Sequence, residues 1–108
     1  MRTKTIALPR LNKLSPTIES TALKLLEEAG ELGAAISRWR GYDGVGNKAA
    51  PDVGKDEALH AVTQELLDVA QTAITMMYVL EEQHGVDIEN ALAEHIDKLL
   101  RKGYLVLA

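Results

Sequence analysis

Cysteine is absent from the 108 residues, which excludes a disulfide scaffold, thiolate-bound zinc and cysteine catalysis together. Long apolar runs are absent too: none approaches the roughly 20 residues that a membrane-crossing helix needs. The opening MRTKTIALPRLNK is basic, but its apolar part is too short for a secretory leader, so the cytoplasm is the expected compartment. A positive balance is also missing. The net charge is −4, whereas a chain that binds a nucleic-acid backbone is usually basic, so neither nucleic acid nor a membrane is an expected partner. What is present is an ordinary globular mixture, 46% hydrophobic and 26% charged, in a length that suits one compact domain. An acidic chain can still bind an anion if it first binds a divalent cation.

Residues 1–14 read as an N-terminal arm, 15–104 as a helical domain and 105–108 as a C-terminal tail. Ser15-Pro16 offers a helix start, with serine as N-cap and proline at the first helical position. From there Ile18, Ala22, Leu25, Ala29, Leu32, Ile36 and Trp39 recur in alternating steps of four and three, the spacing of one buried helical stripe. Gly41 ends that run. Residues 41–55 hold four of the eight glycines and read as a long loop, a mobile lid or a plain connector. Asp56 is the expected cap of a second helix with the stripe Leu59, Val62, Leu66, Val69, Ala73, Met76, Leu80, stopped by Gly85. Asp87 caps a third, with Ile88, Leu92, His95 and Leu99 expected inward and Gly103 at its end. The fold class is therefore all-α, an antiparallel helical bundle of three main helices per chain. Three amphipathic helices of this size leave an apolar face uncovered, so oligomerisation is expected to complete the bundle.

The two long helices echo each other at an offset of 37 residues. Leu25 maps onto Val62, Ala29 onto Leu66 and Leu32 onto Val69. At the same offset Glu28 maps onto Glu65 and Glu31 onto Asp68. At about 100° per residue, Glu28 and Glu65 fall roughly 60–70° from the centre of their stripes, and Glu31 and Asp68 roughly 120–130° to the same side. Antiparallel packing brings the two i, i+3 pairs together at the edge of the shared seam. Four carboxylates at one place repel, and burying them unpaired costs several kcal/mol each. A divalent cation removes that cost. Oxygen-only donors favour Mg²⁺, with Mn²⁺ as a substitute, over zinc. The plain alternative is two solvated helix faces, since Glu is a common helix former.

These residues resemble a known pattern. Glu27-Glu28-Ala29-Gly30-Glu31-Leu32 is similar to the EExxE element of the MazG-like, all-α NTP pyrophosphohydrolases, and Glu65-Leu66-Leu67-Asp68 to their ExxD element. Gly85-Val86-Asp87-Ile88-Glu89-Asn90-Ala91-Leu92 resembles that family's third-helix start, and Lys98 with Arg101-Lys102-Gly103-Tyr104 its basic tail. The resemblance implies Mg²⁺ on Glu28, Glu31, Glu65 and Asp68. It also implies cleavage of a nucleoside triphosphate between its α and β phosphates and assembly as a homodimer or homotetramer. The chain departs from the pattern in its long connecting loop and in Leu99 and Leu100, which stand among the basic and amide residues usual after the third-helix start.

Further roles follow from chemistry. Glu27, on the acidic side of its helix, is the candidate general base. Lys24, one turn before Glu28, either touches phosphate or forms an i, i+4 ion pair. Lys98, Arg101, Lys102 and Tyr104 are candidates for the pyrophosphate end, although cations at a helix C-terminus are favourable there in any case. Trp39 continues the apolar stripe, so core packing competes with base stacking; Tyr42 is a second stacking candidate. GYDGVGNK lacks P-loop spacing. Two ExxH pairs, Glu57/His60 and Glu81/His84, suggest a di-iron bundle, but 24 residues of one helix separate them, about 36 Å, which rules out a shared cluster. His95 is expected as a satisfied core histidine. Two rival readings remain: a phosphoribosyl-ATP pyrophosphohydrolase-like enzyme, and a non-catalytic helical dimerisation module.

Overall fold

A computed structural model describes residues 1–41 and 54–107 of the chain. It contains α1 (Ile18–Trp39), α2 (Lys55–His84) and α3 (Ile88–Arg101), with no strand among the described residues. The all-α expectation holds. No helix among the described residues is long and apolar enough to cross a membrane.

The helix ends are set by local chemistry, in two places differently from expectation. Thr17, not Ser15, caps α1: its hydroxyl accepts from the Ser20 amide at 3.1 Å, and the Ser20 hydroxyl accepts from the Thr17 amide at 2.8 Å. This reciprocal box needs a hydroxyl at the cap and a side-chain acceptor three residues on; Ile18 stands there for Ser15, and Ser20 for Thr17. Gly54, not Asp56, precedes α2, whose start has no side-chain cap. Asp56 sits in the first turn, where its charge still complements the helix dipole. Asp87 caps α3 through the Asn90 amide as expected. Gly41, Gly85 and Gly103 all have positive φ, a conformation a Cβ would strain.

α1 and α2 pack antiparallel. Thr21 and Thr72 face one cleft, Ala35 and Ala58 another, and Glu28 and Glu65 meet between them. Thr21, Glu28 and Ala35 are spaced by seven, as are Ala58, Glu65, Thr72 and Val79, the repeat of a coiled-coil seam. The line of closest approach is therefore made of small and acidic residues. Expected core positions Ala22, Ala29, Ile36 and Leu66 are exposed instead. The apolar stripe is broader than the α1–α2 seam, and the seam uses only its acidic edge. No large side chain among the described residues is fully buried, while Leu23 and Leu26 are 65% and 71% exposed.

α3 makes no contact with α1 and only slight contact with α2. None of its residues is buried, so Leu92 and His95 point to solvent; the core role expected of His95 fails because α3 has no intrachain partner to cover it. The radius of gyration, 17.3 Å, exceeds the roughly 13 Å of a compact chain this long. The arm, by contrast, is tied down. Arg10 makes a two-pronged ion pair with Glu82 (2.6 and 2.7 Å), and the Gln71 and Gln83 amides each donate at 2.9 Å, to the carbonyls of Pro9 and Pro16.

Candidate functional site

The acidic centre forms because the seam runs through Glu28 and Glu65. Carboxylate oxygens of Glu28, Glu31 and Glu65 lie within 4.8 Å of one another, so two helices contribute to one cluster. Glu28 is only 5% exposed. One of its oxygens meets the Lys24 ammonium at 3.1 Å, and the other has no hydrogen-bond partner. Glu65 likewise holds a buried oxygen without a partner. Removal from water, more than anything else, pushes the Glu65 carboxyl above its ordinary range; the charge and hydrogen bond of Glu31 come next, then the charges of Asp68 and Glu28. The ammonium of Lys24 is held above its usual value by its hydrogen bond to Glu28.

Buried polar oxygens without partners are costly and uncommon. Two of them facing one carboxylate cluster mark a place where something positive belongs. The donor set is oxygen alone, which fits a hard divalent cation such as Mg²⁺. Asp68 stands outside the group of three, exposed, one turn along α2 from Glu65. It lines, with Glu28 and Lys24, the end of a cleft of about 460 Å³ that extends toward the arm.

The other candidates are scattered. Glu27 is solvated and 3.7 Å from Lys24, so Lys24 bridges both glutamates, the ion-pair alternative of the sequence reading. Trp39 is half-buried, and the Arg40 guanidinium lies over its ring, 4.9 Å from the centroid. Eleven residues of helix put it about 16 Å from Glu28, away from the acidic centre. Lys98, Lys102 and Tyr104 are exposed, and Arg101 pairs with Asp97 at 3.2 Å. Within one chain no hydrogen bond or ion pair joins these four to the acids, among the described residues. Tyr42 and most of the 41–55 loop lie outside the described residues.

The arm-walled cleft escaped the sequence reading. Its signals were present but faint: Pro9 and Pro16, which favour extended chain, and two threonines inside the apolar run of α2. Thr72 returns its hydroxyl to the Asp68 carbonyl at 2.9 Å, but the buried Thr75 hydroxyl has no partner.

The family model for the MazG nucleotide pyrophosphohydrolase domain matches residues 16–103. The chain belongs to the MazG family. That span holds all three helices and every acid of the centre, and it leaves out the arm before Pro16. No curated protein and no solved structure matches the chain. The match bears out the resemblance drawn from the EExxE and ExxD elements.

Proposed function

We propose that this MazG-family chain is a Mg²⁺-dependent pyrophosphohydrolase that cleaves a ribo- or deoxynucleoside triphosphate between its α and β phosphates, yielding the monophosphate and pyrophosphate. One observation carries the reading: carboxylates from two helices converge with two buried oxygens unpartnered. Glu28, Glu31 and Glu65, with Asp68 from the cleft side, are the residues that would hold the cation. A divalent cation at such a site neutralises phosphate oxygens and activates water.

The chain's own groups do the remaining work. Glu27 accepts the proton of the attacking water, the general-base role its solvated position allows. Lys24, which offsets Glu28 in the absence of substrate, swings to a phosphate oxygen once the acids are otherwise neutralised. Lys98, Arg101, Lys102 and Tyr104 steady the outer phosphates, and Trp39, about 16 Å along α1 from Glu28, serves packing rather than stacking on the base. The apolar shoulders at Leu23, Leu26, Ile36 and Leu66 are where a second copy packs. Covering one such leucine is worth about 1.5–3 kcal/mol, and the assembly, a homodimer or homotetramer, brings α3 against a neighbour.

The test is a pyrophosphate-release screen over ribo- and deoxynucleoside triphosphates with Mg²⁺, run beside Glu28→Gln and Asp68→Asn. Wild type releases pyrophosphate from at least one triphosphate, and each variant loses activity at least 100-fold. Release of orthophosphate in place of pyrophosphate would overturn the bond assignment.

A further inference from the structure

The arm is not an idle leader. It is clipped to α2 at Gln71 and at Glu82–Gln83, and between those clips Leu11 and Pro16 line the same space as Thr75. Leu11, Leu14 and Pro16 thereby supply an apolar wall to a cleft that Thr72 and Thr75 also line, and Lys24, Glu28 and Asp68 line the same cleft. Its volume, about 460 Å³, is within the range of small-molecule pockets. A helical threonine commonly turns its hydroxyl back to the carbonyl four residues before it, as Thr72 does. Thr75 does not. It is 9% exposed, its hydroxyl has no partner, and it lines the cleft floor. Such a group calls for a ligand atom that can accept or donate a hydrogen bond. From Asp68 to Thr75 is seven residues of helix, about 10 Å along its axis, which is the reach of a nucleoside from its α phosphate to the far edge of its base.

We infer that this cleft receives the nucleoside of the substrate, with the arm as one wall and the Thr75 hydroxyl reading a polar edge of the base. The inference rests on the hydrolase reading for the phosphate end, but two of the wall residues, Leu11 and Leu14, lie before Pro16, where the family match begins. Base selectivity is then set partly by an element outside the family domain.

Calorimetric titration of the full chain in Mg²⁺ with the four deoxynucleoside monophosphates, and with inorganic phosphate and tripolyphosphate as ligands without a base, tests this. Leu14→Trp fills the cleft from an exposed position (64%) and is expected to weaken monophosphate binding at least tenfold while changing tripolyphosphate binding by less than twofold. Thr75→Val keeps the shape and removes the hydroxyl. It is expected to change affinity about tenfold for the base that carries the matching group and little for the others, with Thr75→Ser restoring the wild-type order. Two results overturn the inference: monophosphates that bind wild type no better than inorganic phosphate, or affinities untouched by both variants. Loss of the hydrolase reading shows separately, as wild-type protein that releases no pyrophosphate.

Discussion

Consider what Mg²⁺ does to stability. Without it, Glu28 and Glu65 each keep a buried oxygen unpartnered beside Glu31. The folded-state pKa of Glu65 is raised, so the folded chain retains a proton that the unfolded chain has released. Stability is therefore intact below the unfolded carboxyl range and is lost as pH rises through the folded value of Glu65. On the proposed reading, Mg²⁺ supplies the positive charge that the proton gave up, and it binds the folded state alone. At a concentration 100 times its dissociation constant, mass action gives about 2.7 kcal/mol. With an unfolding entropy of about 2.1 cal/mol/K per residue, that corresponds to a rise in Tm of about 12 °C for a chain of this length. Melting curves from pH 4.5 to 7.5, with and without Mg²⁺, should diverge as pH rises. Glu65→Gln should flatten the metal-free pH dependence and reduce the Mg²⁺ shift to less than about 2 °C. A shift of equal size in wild type and Glu65→Gln, or metal-free stability that climbs with pH through this window, would refute the reasoning.

Other outcomes follow from the same geometry. Glu27→Gln should lower kcat by about 10²–10⁴-fold while leaving the Mg²⁺ shift in Tm intact, because Glu27 lies outside the converging group; a lost shift would make it a ligand instead. Leu26→Glu, at a position 71% exposed in the single chain, should convert the assembly to monomer by light scattering, and an unchanged mass would move the subunit contact elsewhere. Gly33 has open space where a Cβ would stand, so Gly33→Ala should add about 0.5–1 kcal/mol of helix stability in chemical denaturation; a loss instead would show a neighbouring subunit pressed against that face. The Glu82 carboxyl is held below its usual range by its hydrogen bond to Arg10, so the arm's clip is complete above the ordinary carboxyl range and is lost as pH falls through the lowered value. Arm cleavage by a protease active in acid should accelerate there, and Arg10→Ala should show the same acceleration at neutral pH.

The helices and their ends were largely legible in the sequence, because glycine at a left-handed C-terminus and Asp87 at an N-cap act through neighbours in the chain. The acidic centre was legible for a related reason. An offset of 37 residues put Glu28 and Glu65 at one height on two similar stripes, and packing kept that relation. Periodicity could not tell which part of a broad stripe meets α2 and which meets something else. The stripe therefore gave Ala29 and Leu66 as core, when the seam runs through Thr21, Glu28 and Ala35. His95 failed for the same reason: an amphipathic pattern declares a face without naming what covers it. Thr17 won the α1 cap over Ser15 because Ser20 stands three residues after it. The arm left almost no periodic trace, since its hold on α2 depends on side chains more than 60 residues distant.

Everything functional here depends on α1 and α2 sharing one cation. Anomalous diffraction from crystals grown with Mn²⁺ measures that directly. The expected result is manganese density in coordination distance of carboxylate oxygens from both Glu28 or Glu31 on α1 and Glu65 on α2, lost in Glu65→Gln crystals. Manganese bound to one helix alone, or only at sites remote from these residues, would contradict the account.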